Sequence, residues 1–131
     1  MYLLDTNICI YIINRQSETT VKKITGCTPQ DIKISSVTAA ELEYGVSKSK
    51  RRNQNRSALN GFLSSFEIIP FDIHDAEIYG IIRAELERKG ERIGPYDLQL
   101  AAQALAKNLI LVTNNTAEFR RIKKLKLENW A

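Results

Sequence analysis

Residues 109–113, LILVT, run apolar without a break. A run of that length is of strand type and suits burial on both faces, as in a parallel sheet. Parallel strands need crossover connections, and these are usually helices. The rest of the chain reads in those terms. Residues 2–4 (YLL) form a short buried strand ending at Asp5, and Asp5-Thr6-Asn7 offers N-cap chemistry for the apolar stretch that follows. A second helix is expected from Gln16 to about Gly26. Lys33 to Val37 reads as a strand, with Ser36 or Thr38 available to cap a helix over 39–47. A helix over about 54–65, a strand at 67–71 and a long helix from Asp72 or His74 to Gly90 come next. Gly94-Pro95 opens another helix, with proline in the first position, where a missing N–H costs nothing. Leu98, Ala101, Ala102 and Leu105 share its apolar face. A short helix near 115–122 and an irregular tail finish the chain. Strands alternating with helices define an α/β fold with a mostly parallel sheet, and in such sheets ligands sit at the carboxyl ends of the strands.

The 131 residues fit a single domain, 1–131, long enough to bury a core without staples. No apolar run approaches the roughly 20 residues that cross a bilayer. The apolar start, MYLLDTNICIYIINR, lacks a basic leader and a small-residue cleavage site, so it reads as strand and helix and implies a cytoplasmic protein. Cys9 and Cys27 are expected as free, buried thiols. With His74 the one histidine, no Cys/His zinc site can be assembled. Any metal must be held by oxygen ligands, which favours Mg²⁺ or Mn²⁺. The net charge is +4, and the excess is clustered. Lys48, Lys50, Arg51, Arg52 and Arg56 form one acid-free run; Arg120, Arg121, Lys123, Lys124 and Lys126 form another. Such runs suit a phosphate backbone, although a solvated helix face would read the same.

Three acids stand where surface acids do not. Asp5 follows Leu3-Leu4 at the end of the first strand. Glu41 lies among alanines and leucine in TAAELEYG, and Asp97 lies in the first turn of the apolar helix PYDLQLAA. A buried carboxylate needs a cation, donors or a proton, and one shared divalent cation would serve all three. Each has an ordinary reading too. Asp5 can be a helix cap, and Asp97 a first-turn acid favoured by the helix dipole. Glu41 can be exposed, with Glu43 turned inward. After the last strand, VTNNTAEF adds Thr113, Asn114, Asn115 and Glu118, which also suit loop and capping chemistry.

Together these stretches identify a resemblance. LLDTNICIYII, SSVTAAELEYG, IRAELERKG, IGPYDLQLAAQAL, LVTNNTAEFRRI and LENW occur in the order found in PIN-domain ribonucleases, and specifically in VapC-type toxins of toxin–antitoxin systems. The resemblance covers nearly the whole chain. It implies a parallel sheet flanked by helices on both faces and a Mg²⁺- or Mn²⁺-dependent endoribonuclease. Asp5, Glu41 and Asp97 match the acids of the first three family motifs. The fourth motif often carries an aspartate where this chain has Asn115, and Glu118 is the nearby acid. Thr6, Asn7 and Thr113 match positions that support the acids by hydrogen bonding. A VapB-type antitoxin, a homodimer and an RNA substrate are implied as well, the RNA being initiator tRNA cut in its anticodon arm.

Clustered carboxylates of this kind would hold one or two cations that polarise a phosphate and acidify water, leaving 5′-phosphate ends. With one histidine there is no pair for metal-free RNase chemistry. Tyr44 and Tyr96, each beside a proposed acid, can stack an unpaired base, but core packing is the expected role. A metal-dependent DNA nuclease and a non-cutting PIN-like binding module are the competing readings. A nucleotide-binding module is disfavoured, because neither GxGxxG nor GxxxxGK[ST] occurs.

Overall fold

Leu3 and Leu4 are neighbours in the chain and lie on opposite sides of the sheet. In the computed structural model, which describes residues 1–131, both are fully buried. Alternation along a strand puts successive side chains on opposite faces, so two apolar neighbours require two cores. The structure has both. Leu3 and Leu111 join one cluster, with residues of the two long helices and Phe119. Leu4, Ile32, Ile34 and Val112 join the other, with Ile8, Leu42, Leu59 and Trp130.

The strands are β1 (Tyr2–Leu4), β2 (Ile32–Ser35), β3 (Glu67–Ile69), β4 (Ile110–Val112) and β5 (Leu127–Glu128). The helices are α1 (Thr6–Asn14), α2 (Glu18–Thr25), α3 (Ser36–Ser47), α4 (Arg52–Leu63), α5 (Ile73–Arg88), α6 (Pro95–Ala106) and α7 (Thr116–Phe119). All strand pairs are parallel, in the order β3-β2-β1-β4-β5. The order runs outward in both directions from β1, so the sheet reverses between β1 and β4. At that switch point the connections leave for opposite faces and open a crevice at the strands' carboxyl ends. Asp5 and Thr113 are the residues that follow those two strands.

The elements end where local chemistry ends them. Asp5 caps α1 by accepting from the Ile8 amide at 2.9 Å. Asp72 and Asp75 form a reciprocal capping box at the start of α5. α5 stops at a Schellman motif: Gly90 has φ +71°, its N–H donates to the Glu87 carbonyl, and that of Glu91 donates to Leu86.

Some expectations are corrected. The cap of α3 is Ser35, whose hydroxyl accepts from the Val37 amide at 3.1 Å, and not Ser36 or Thr38. Ser36 is engaged elsewhere, accepting from the Phe71 amide. The tail is not irregular. Residues 127–128 pair with β4 as a fifth strand, and Trp130 is 1% exposed. Its ring meets Tyr2 edge-on at 5.1 Å, and its carbonyl accepts from the Thr20 hydroxyl at 2.7 Å. Cys9 is buried and Cys27 only partly so; both are free. No helix is long and apolar enough to cross a membrane.

Candidate active site

Asp5 is fixed first. It is 5% exposed, and its cap bond to Ile8 uses one oxygen. The Thr113 hydroxyl lies beside its carboxylate. The open question of cap or ligand therefore has a two-sided answer: the side chain caps a helix and still presents a carboxylate to the crevice. Burial raises its pKa above the ordinary aspartate value; Thr113 and the Ile8 amide pull the other way, and Glu41 pushes it up again.

Glu41 enters from α3. Its Oε1 accepts from the Thr6 hydroxyl at 3.0 Å, a bond that ties the start of α1 to the middle of α3. Glu43 faces away and pairs with Arg56. The choice between the two glutamates is settled by that register, since residues two apart on a helix do not share a face.

Asp97 sits in the first turn of α6, half-buried. A helix N-terminus favours a carboxylate. Even so, its pKa is pushed up to about 6, by burial first and then by the negative charge of Glu118, Asp5 and Glu41. Four carboxylates from four segments thus act on one another at the crevice. None of the ion pairs in the structure includes any of them.

The β4 exit completes the rim. Thr113, fully buried, accepts from the Asn115 amide at 2.9 Å and so shapes the turn. The exposed Asn115 side chain donates to Glu118 Oε2. Asn114 donates to the Tyr11 hydroxyl at 2.8 Å. Tyr11 is a partner that sequence reading missed; its i+5 placement in α1 gave it only an apolar helix face to belong to. Asn7, expected to support the acids, is exposed and hydrogen-bonds to none of them. His74 lies on α5, exposed, with Glu77 as its neighbour at 3.9 Å. Tyr44 and Tyr96 are not core residues: they are 66% and 57% exposed, each on the helix that carries an acid.

The donor set is one of hard oxygens, with no thiol or imidazole among them. As they stand, no three of them form a closed ligand set. Their chemistry still fits a divalent cation: several negative groups, partly desolvated, with no ammonium or guanidinium to balance them.

Residues 2–125 match the PIN domain. The chain belongs to the PIN-domain family. Within it, ribonuclease VapC2 of Rickettsia felis is 50% identical over 131 residues, covering 99% of this chain and 98% of the relative. The tRNA(fMet)-specific endonuclease VapC of Shigella flexneri is 40% identical over 130 residues, with coverage of 99% and 98%. Among solved structures, VapBC2 from Rickettsia felis bound to a DNA fragment from its promoter superposes with a TM-score of 0.91. That match has 48% identity and covers 99% of this chain and 98% of that one. The chain is therefore a PIN-domain ribonuclease of the VapC type. PIN-domain ribonucleases depend on divalent metal ions, which agrees with the unbalanced oxygen cluster at the switch point. The fold explains why the acids are far apart in sequence: Asp5 directly follows β1, Asp97 lies in the first turn of α6, Glu41 lies mid-way along α3, and Glu118 lies in α7 after β4.

Proposed function

We propose that this chain is the toxin of a VapB–VapC pair and cuts initiator tRNA in its anticodon arm. In this reading Asp5, Glu41 and Asp97 hold Mg²⁺, with Mn²⁺ as a working substitute, and Glu118 completes the set in place of the usual fourth aspartate. The observation that carries it is the cluster of four carboxylates at the switch point with no basic partner. The bound cation would polarise the scissile phosphate and make water a better nucleophile near neutral pH.

The chain's own residues do the positioning. Thr6 fixes the rotamer of Glu41, and Thr113 stands beside Asp5. Asn115 holds Glu118 toward Asp97 without adding a fifth negative charge. Tyr96, exposed next to Asp97, offers a ring for an unpaired base of a tRNA loop. Initiator tRNA is favoured because the Shigella flexneri relative is specific for it.

A VapB-type antitoxin is the natural partner, since the Rickettsia felis structure is a VapBC assembly. A groove of about 330 Å³ between α1, α3 and α4 suits its inhibitory segment. The groove is lined by Ile10, Ile13, Leu42, Val46 and Leu59 and reaches Glu41, so an apolar segment ending in a basic residue would fill it and meet the acids. A cytoplasmic location and a homodimer belong to the same reading.

The test is to map RNA ends after induced expression and with purified protein. A single cut in the anticodon arm of initiator tRNA, leaving a 5′-phosphate and absent when VapB is co-expressed, is the expected result. Equal cutting of all tRNAs would refute the substrate assignment. Equal cutting of DNA would refute the ribonuclease reading.

A further inference from the structure

The two basic runs look alike in the sequence, and the structure separates them. Lys50, Arg51 and Arg52 sit at or beside the turn between α3 and α4. α4 folds back along α3, so that Ala58 and Leu59 share a groove with Glu41 and Leu42. The turn therefore lies beyond the last residue of α3, Ser47, six residues or about 9 Å past Glu41. Of the other members of that run, Arg56 is paired with Glu43, and the Lys48 ammonium lies 4.9 Å from the Tyr44 ring centroid.

The second run is gathered against a different segment. Arg121 Nη1 donates to the Arg92 carbonyl at 2.8 Å, which pins the turn after α7 to the loop between α5 and α6. Lys89, Arg121 and Lys123 line one small pocket together with Glu85. Lys89, Arg92, Arg121 and Lys123 are exposed, and none of them is in an ion pair. Both segments run directly into the acid rim. Arg121 is three residues after Glu118, so their Cα atoms lie within about 11 Å. Arg92 is five residues before Asp97. A polyanion approaching four carboxylates is repelled, and a free cationic strip beside them is what offsets that repulsion.

We infer that Lys89, Arg92, Arg121 and Lys123 form a phosphate-binding strip that holds the RNA backbone next to the cut bond. The inference rests on the ribonuclease reading for its substrate, but binding can be measured apart from cutting.

The test uses the full chain and labelled initiator tRNA. Binding is followed by fluorescence anisotropy in chelator at several salt concentrations, and cleavage is followed in Mg²⁺. Arg92→Gln/Arg121→Gln/Lys123→Gln is expected to weaken binding at least about tenfold and to reduce the salt slope by about 2. KM for tRNA should rise with kcat unchanged. Because Arg121 also ties two loops together, Lys89→Gln/Lys123→Gln, which removes no hydrogen bond, should lower the slope by about 1. Unchanged affinity and slope in both strip variants would overturn the inference. So would strip variants that lose VapB binding while keeping RNA binding. A wild-type chain that binds tRNA through the strip without ever cutting it would support the strip and overturn the proposed function.

Discussion

Two acid clusters lie in this molecule, and they are opposites. In one, Asp72 and the fully buried Asp75 share the ammonium of Lys107, each at 2.8 Å, and cap α5 between them. Their hydrogen bonds are closed: Asp75 accepts from the Asp72 amide and from Lys107, and Asp72 accepts from the Asp75 amide. The Lys107 ammonium, with the Asp75 amide, holds the Asp72 carboxyl down at about 2. In the other cluster, Asp5, Glu41, Asp97 and Glu118 have hydroxyl and amide donors but no cation, and Asp97 is pushed up to about 6. A carboxylate cluster that brings its own counter-charge is a fastening between helices. One that lacks it is strained toward taking up a cation or protons.

The largest effect expected is on catalysis at the unbalanced cluster. Asp5→Asn should lower RNA cleavage by at least about 1000-fold, since a group that acts on the reacting centre commonly carries losses of that order. The fold should survive, because the asparagine oxygen can still cap α1. Single-turnover cleavage and circular dichroism, run side by side, check both halves. Cleavage within tenfold of wild type would erase the distinction between the clusters.

The mirror experiment is Lys107→Met. It leaves Asp75 buried without its cation and should cost about 2–3 kcal/mol of stability in denaturant unfolding. The folded fraction should cut RNA at the normal rate. A neutral effect on stability would mean that the fastening role is wrong.

The pH responses should have opposite signs. For Asp97 the folded pKa, about 6, lies above the ordinary aspartate value of 3.8. Its contribution to the stability of metal-free protein is fully present below about 3.8 and is lost as pH rises through 6. For Asp72 the folded pKa, about 2, lies below the ordinary aspartate value of 3.8. Its contribution is present above 3.8 and is lost as pH falls through 2. Thermal melts in chelator should thus show Asp97→Asn flattening the profile between pH 4 and 6, and Lys107→Met altering it below pH 4. Identical profiles for both variants would collapse the comparison.

The smallest effect sharpens it. Glu43→Gln removes an exposed pair with Arg56 and should change stability by less than about 1 kcal/mol, with cleavage unaffected. Glu41→Gln, two residues away, should abolish cleavage. Equal effects at the two positions would mean that α3 presents its acids in some other register.

Much of this was legible in the sequence, for identifiable reasons. Asp5 stands out because a charged residue directly after two leucines must end the strand as a cap, a ligand or both, and LILVT fixes the sheet as parallel because both faces must be covered. Asp97 is marked by the proline-led helix that it opens. Glu41 and Glu43 were indistinguishable, because their difference depends on a long-range bond from Thr6 and a neighbour on α4, neither of which is a local signal. The fifth strand was hidden for a similar reason. Leu127 and Glu128 pair with β4 beside a Trp130 seated against Tyr2 and Thr20, contacts distant in sequence, and a two-residue strand has no periodicity of its own to show. The exposure of Tyr44 and Tyr96 was misjudged because aromatic residues near apolar helix faces are usually buried. Here both are exposed.

The central claim is that the unbalanced acids are the seat of a divalent cation and of RNA cutting. Cleavage of initiator tRNA by the purified chain, free of antitoxin, measures it most directly. No cleavage is expected in excess chelator, full cleavage once Mg²⁺ or Mn²⁺ is restored, and none under either condition with Asp5→Asn. Undiminished cleavage in chelator, or restored cleavage by Asp5→Asn, would contradict it.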